Sequence, residues 1–222
     1  MELIPNLHAF LWTSATVNNC NTYLIRSPDK NILIDPGYAS YFDHVRRGLA
    51  HLGLSVENID LIVCTHAHPD HIEAVRLFDR APSLFTLHSA EWKLIQDMAP
   101  YLKASMDIDS TRFTPDFLLI AGNLKVGQIE LEVYHTPGHS PGAVTLHWPA
   151  AGALFTGDLI FKGGLGRTDL PGGDGTQLKS SIRRMAGLEA EWLLPGHGEV
   201  ISGADAVKAN FEQVERMWFG YV

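Results

Sequence analysis

Residues 59–71 read Ile-Asp-Leu-Ile-Val-Cys-Thr-His-Ala-His-Pro-Asp-His, a stretch that sets both the fold class and the chemistry. Residues 59–64 form an apolar run of strand length, the pattern of a strand covered on both faces. The run stops abruptly in His66, His68, Asp70 and His71. Pro69 disfavours the helical conformation for His68, so the residues before it are expected to stay extended. In extended chain His66 and His68 share one side and can bind one ion. Asp70 and His71 lie beyond the turn and can face a second. This spacing differs from the helical H-E-x-x-H zinc site, whose histidines stand at i and i+4.

Three further segments repeat the design of an apolar run ending in a metal-ligating side chain. LEVYHTPGHSPG at 131–142 carries His139, ALFTGD at 153–158 ends in Asp158, and WLLPGHG at 192–198 carries His197. Ligands and catalytic groups collect at the carboxyl ends of strands in open α/β sheets. Four strand ends meeting at one edge would gather five imidazoles and two carboxylates, the donors that borderline divalent metals such as zinc prefer. The other histidines, His8, His44, His51, His88, His135 and His147, read as surface or hydrogen-bonded core residues.

Around these motifs the pattern is mixed α/β. Residues 22–26 and 31–35 are strand-like runs separated by Ser-Pro-Asp-Lys, which predicts a hairpin. Phe42, Val45, Leu49 and Leu52 follow at helical spacing, with Gly53 as a C-terminal cap. Residues 71–79 return to helical patterning. A second series of strands is expected from Phe117 onward, at 126–135, 143–148, 153–156 and 192–194. Helices then carry Leu178, Ile182 and Met185, and later Val207, Phe211, Val214 and Trp218. No Pro/Ser-rich linker divides the halves, so residues 1–222 read as one domain of two packed α/β layers. Two stretches read as long and irregular: 97–116, with Pro100 and Pro115, and the glycine-dense 161–176.

Composition narrows the class of function. The 222 residues are 45% hydrophobic and 19% charged, enough for a full core and unlike a disordered chain. A net charge of −8 without a basic stripe argues against nucleic acid, because phosphate neutralisation supplies most of that affinity. The same charge argues against an anionic membrane surface, and no apolar run reaches spanning length. The N-terminus has no secretory signal pattern, and Cys20 and Cys64 do not make a disulfide framework. The expectation is a cytoplasmic protein with two buried thiols, acting on a small molecule as a monomer or homodimer.

His66-x-His68-x-Asp70-His71, followed by His139 in TPGHSPG, Asp158 in FTGD and His197 in PGHG, resembles the metallo-β-lactamase-fold superfamily. NTYLIRSPDKNILIDPG near the start looks like that family's opening hairpin. The resemblance implies an αββα sandwich of two mixed sheets flanked by helices. It implies two divalent ions, zinc first, with iron and manganese as alternatives. Family roles put His66, His68 and His139 on one ion, Asp70, His71 and His197 on the other, and Asp158 between them. Such a pair acidifies a bridging water and polarises a carbonyl, which suits hydrolysis. Asp70 could orient that hydroxide and take up its proton.

The branch is read from what is missing and from one loop. The thiolate β-lactamases have Cys at the position of Asp158, flavodiiron proteins have Glu at that of His68, and ribonuclease-Z-like enzymes bind transfer RNA. GRTDLPGGD at 166–174 resembles a motif of short glyoxalase-II-like hydrolases, and its GRTD portion also occurs in persulfide dioxygenases. The added helical domain that grips glutathione in full-length glyoxalase II is not expected here, where one amphipathic helix and FGYV follow PGHG, and EVISGAD replaces the usual threonine-rich text after PGHG.

The leading expectation is therefore a dinuclear hydrolase of a small thioester or ester. A mononuclear iron persulfide dioxygenase on His66, His139 and Asp158, a lactonase, and a non-catalytic metal-binding module are the alternatives. Arg167 could clamp a substrate carboxylate or pair with Asp169 or Asp174 to fix the glycine loop. Lys162 and Tyr101 are further candidates for substrate contact. Asp35 could hydrogen-bond a ligand histidine from behind.

Overall fold

Short aliphatic runs pair in sequence order through the first part of the chain. The computed structural model describes residues 1–106 and 109–222, and contacts divide the chain into two compact units, Met1–Leu119 and Ile120–Val222. The first unit holds a seven-stranded sheet of β1 (Glu2–Ile4), β2 (Leu7–Phe10), β3 (Thr22–Arg26), β4 (Asn31–Ile34), β5 (Leu61–Val63), β6 (Leu84–His88) and β7 (Phe117–Leu119), in that spatial order. Strands β1 to β4 are antiparallel and β4 to β7 are parallel, so the sheet is mixed.

The predicted hairpin is β3–β4, with Arg26 opposite Asn31 and the turn closed by Ser27 N–H to the Lys30 carbonyl at 2.7 Å. Helix α1 (Asp43–His51) buries Val45 and Leu49, and Gly53 follows it at φ +71°, the left-handed conformation of a helix stop. Strand β5 lies between two parallel neighbours and is buried along its whole length, as its apolar text requires. Leu24, Leu33, Ile62 and Phe85 from the sheet pack with Phe42, Val45, Leu49, Val75 and Phe78 in one core.

Segment 97–116 departs from its sequence reading. Helix α3 (Ser89–Met106) runs straight through Pro100, and a 3₁₀ turn covers Ser110–Phe113. Residues 107 and 108 lie outside the described residues. Proline costs a helix one hydrogen bond and a clash with the carbonyl four residues back. Here good helix formers flank it, and Trp92, Ile95 and Leu102 recur on the face packed against the core. The residues past His68 also tighten more than expected. Pro69 begins the short helix α2 (Pro69–Ile72), and a 3₁₀ helix continues over Glu73–Phe78.

The second unit holds a six-stranded mixed sheet in the order β15–β14–β11–β10–β9–β8. Its strands are β8 (Gly122–Val126), β9 (Ile129–His135), β10 (Val144–Trp148), β11 (Ala153–Gly157), β14 (Trp192–Pro195) and β15 (Ile201–Ser202). Only β11 and β14 pair in parallel. The single strand expected over 126–135 is the end of β8 and all of β9. Gly127, at φ +58°, turns the chain between them. A two-stranded hairpin, β12 (Ile160–Phe161) with β13 (Gly164–Leu165), occupies the start of the glycine-dense segment. Helix α4 (Gly175–Met185) is capped by Asp174, which accepts the Gln177 N–H at 2.9 Å. Leu178, Ile182 and Met185 on α4 pack with Val207, Phe211 and Val214 of α5 (Ala204–Trp218) and with Leu154 and Leu193 of the sheet.

The architecture is thus mixed α/β, two mixed sheets each carrying helices, as expected. Among the described residues no helix is long and apolar enough to cross a membrane.

Candidate metal centre

In the first unit the candidate ligands are braced from one carboxylate. Strands β4 and β5 pair in parallel with Ile34 opposite Val63, so the residues leaving both strands emerge side by side. Asp35, the residue after β4, adopts φ +52° and is buried. Its Oδ1 accepts the Thr65 N–H at 2.7 Å, and its Oδ2 accepts the Thr65 hydroxyl at 2.7 Å and the His71 ring at 2.9 Å. A carboxylate only accepts, so His71 Nδ1 carries the proton and Nε2 carries the lone pair. The Thr65 hydroxyl proton is committed to Asp35, so Thr65 Oγ1 accepts from His66 Nδ1 at 3.1 Å. His66 is thereby fixed in the same tautomer. Orienting a ligand imidazole through its distal N–H is how metal sites set ring direction and basicity.

His68 is extended at φ −67°, ψ 144°, and Pro69 opens α2 so that Asp70 and His71 fall in its first turn. The His66 ring centroid lies 4.0 Å from that of His71 and 4.7 Å from that of His68. Two supports were not legible in the sequence. Glu91, wholly buried at the start of α3, accepts the Ala67 N–H at 2.7 Å between the two histidines. Asn18 donates from Nδ2 to Asp70 Oδ2 at 2.6 Å. A glutamate in a first helical turn and an asparagine in a polar loop look like ordinary surface residues, and no local pattern marks either.

In the second unit three strand ends supply one candidate ligand each. β11 and β14 pair in parallel with Gly157 opposite Pro195, and Gly196 N–H reaches the Gly157 carbonyl at 2.8 Å. Asp158 and His197 therefore leave the sheet at the same end. His139 comes from the turn between β9 and β10, which is closed by Thr136 N–H to the Ala143 carbonyl at 2.7 Å. Asp158 Oδ2 stands 3.4 Å from His139 Nε2 and 3.4 Å from His197 Nε2. His139 Nδ1 donates to the Arg167 carbonyl at 2.7 Å, which again leaves the lone pair on Nε2. The chain packs tightly here, since a Cβ on Gly166 would lie 1.9 Å from the Asp158 carbonyl oxygen.

This donor set fits a divalent cation. A bare imidazole nitrogen facing a carboxylate oxygen is repulsive unless positive charge lies between them, and Asp158 Oδ2 meets His139 in that way. All seven candidate ligands belong to groups of His and Asp side chains whose donor atoms could hold a metal ion.

The proposed substrate contacts fall in different surroundings. Arg167 is bonded through its guanidinium to Asp169, Nε to Oδ1 at 2.7 Å and Nη2 to Oδ2 at 2.6 Å. That bond holds the Asp169 carboxyl down at about 2. Lys162 pairs with Glu199, and Tyr101 is exposed on α3. Cys64 is buried, and burial pushes its thiol well up, which suits a core residue rather than a nucleophile. Among the remaining histidines, His44, His51, His135 and His147 hydrogen-bond Tyr41, Arg47, Pro141 and Glu132 respectively.

The profile of the metallo-beta-lactamase superfamily matches residues 15–197, and the chain belongs to that superfamily, a group of metallo-hydrolases. The hydroxyacylglutathione hydrolase GloC of Haemophilus influenzae is 30% identical over 217 residues, covering 95% of this chain and 96% of the relative. Among solved structures, the B3 metallo-beta-lactamase BLEG-1 is 31% identical with a TM-score of 0.72, covering 89% of this chain and 91% of that one. TTHA1623, solved in a di-iron-bound form, is 30% identical with a TM-score of 0.70, covering 89% of this chain and 92% of that one.

Proposed function

We propose that the protein is a dinuclear metal-dependent hydrolase of a small thioester or ester. His66, His68 and His139 would hold one ion and Asp70, His71 and His197 the other, with Asp158 shared. The observation that carries this reading is Asp158 Oδ2 at 3.4 Å from two different imidazoles, the disposition of a carboxylate suited to bridging. In this reading the two units act as one domain over residues 1–222. Bound there, the ions would supply an acidified water and a polarised substrate carbonyl.

The chain's own residues do the rest. Asp35 and the Arg167 carbonyl keep His71, His66 and His139 in the tautomer that offers Nε2. Asp70, whose Oδ2 accepts from the Asn18 amide, would orient the attacking water and take up its proton. The thioester preference draws on GloC, whose name states hydroxyacylglutathione hydrolysis. A cytoplasmic setting agrees with Cys20 and Cys64 being buried thiols that form no disulfide.

The test is metal content after expression with zinc, iron and manganese supplied together, followed by activity. About two ions per chain with turnover of an acyl-glutathione thioester is the expected result. One iron per chain with oxygen uptake on glutathione persulfide would replace the hydrolase by a dioxygenase on His66, His139 and Asp158. Turnover of lactones or β-lactams alone would keep the dinuclear centre and change the substrate.

A further inference from the structure

Helix α5 grips the β12–β13 hairpin through named side chains. Asn210, buried on α5, accepts the Gly163 N–H on Oδ1 at 2.8 Å and donates from Nδ2 to the Phe161 carbonyl at 3.0 Å. The Trp218 indole N–H reaches the Gly163 carbonyl at 2.8 Å. Leu159 and Ile160 pack with Val207, Phe211 and Val214 in the same core.

The hairpin in turn meets all three candidate ligands of its unit. Asp158 stands two residues before β12, and Gly166 N–H returns to the Leu159 carbonyl at 3.4 Å after β13. Arg167, the next residue, gives its carbonyl to His139 Nδ1. The Phe161 ring lies edge-on to His197 with centroids 5.9 Å apart.

We propose that Asn210 is a positioning residue for the His139–Asp158–His197 cluster, with Trp218 as its second support. The inference rests on reading that cluster as metal-binding. Apolar packing holds the hairpin against α5 but is non-directional, so it leaves the hairpin able to slide. A planar amide bonded at once to the N–H of residue 163 and the carbonyl of residue 161 fixes both arms of the turn. Shifting that turn moves Asp158 at one end and the Arg167 carbonyl at the other, and a metal site tolerates only about half an ångström of such error. Outer partners of ligand histidines typically change metal affinity ten- to a hundredfold when removed.

The experiment is titration of the metal-free full-length protein with cobalt(II), read by its visible absorption, for wild type, Asn210→Ala, Asn210→Asp, Trp218→Phe and Val214→Ala. Val214 is buried in the same core and touches none of the hydrogen bonds described, so it reports plain destabilisation of α5. Asn210→Ala is expected to weaken cobalt binding about tenfold and to alter the visible band, Trp218→Phe about threefold, with Asn210→Asp between them. Val214→Ala should lower the melting temperature and leave cobalt affinity within about twofold. Should Asn210→Ala not fold, Asn210→Asp and Trp218→Phe carry the same comparison. Cobalt affinities of the Asn210 and Trp218 variants equal to wild type overturn the inference, as does a Val214→Ala loss matching theirs. A wild-type protein that binds no cobalt overturns the metallo-hydrolase reading itself, and the inference with it.

Discussion

The two clusters of candidate ligands are assembled by different means. In the first unit four candidate ligands come from six consecutive residues, and their directions are set by a turn and by Asp35, Glu91 and Asn18 behind them. In the second unit three candidate ligands come from three strand ends, and parallel pairing with a bracing hairpin brings them together. Local sequence therefore brings the members of the first cluster together, although the groups that orient them lie 24 or more residues away. The second exists only when the sheet and the hairpin are formed. Damage to distant packing should therefore loosen the orientation of the first cluster and disassemble the second.

The largest expected effect lies at the centre of the second cluster. Asp158→Ala removes the oxygen that faces both His139 and His197. Activity should fall by at least about a thousandfold, the scale of several kcal/mol that a metal centre supplies to a transition state. Metal content should drop with it. His147→Ala, a histidine bonded to Glu132 on the same sheet, should change neither greatly and serves as the control. Retained activity in the Asp158 variant would break the contrast by making the second cluster dispensable.

An intermediate effect is expected behind the first cluster. Asp35→Asn keeps the size of the side chain, and asparagine accepts the left-handed backbone found at φ +52°. It replaces one accepting oxygen by an N–H₂ group that faces donors from Thr65 or His71. Metal affinity and kcat should fall about ten- to a hundredfold, as for other supports of ligand histidines. Metal titration alongside thermal melting separates this from general unfolding. A loss larger than that of Asp158→Ala would reverse the ranking of the two clusters.

How much the sequence disclosed follows the same division. The candidate ligands of the first cluster stand out in the sequence because Pro69 and the alternation of His66 and His68 are local facts. The strand-end candidates of the second stand out because an apolar run stopped by His or Asp is conspicuous. Strands β1, β2 and β6 were missed, since runs of three to five residues acquire their identity from the neighbours they pair with. Helix α3 was missed along its whole length, and over 97–106, read as irregular, tertiary packing outweighed the local breaker Pro100. Glu91, Asn18 and Asn210 act on groups 24, 52 and 47 or more residues away in the chain, and no periodicity encodes such a partner. Arg167 is the sharpest case. Its guanidinium attracts attention in the text GRTD, whereas its carbonyl, a group every residue possesses, is what holds His139.

Arg167 also supplies the smallest predicted effect. Arg167→Gln keeps the backbone carbonyl and removes the guanidinium bonded to Asp169. The Asp169 carboxyl, held down at about 2, should titrate closer to the ordinary carboxylate value of about 4 in the variant. The sign is that of a depressed carboxylate. The pair's contribution is present above the unfolded value and is lost as pH falls through about 2. Both partners are exposed and screened, so salt should narrow the difference between variant and wild type. Carboxyl chemical shifts of Asp169 against pH measure this directly. If the second cluster needs only the carbonyl, kcat/KM of Arg167→Gln should stay within about threefold of wild type. A KM raised by tenfold or more with kcat kept would instead show the guanidinium leaving Asp169 to bind substrate, because losing one charge-assisted contact made equally in ground and transition states raises KM alone.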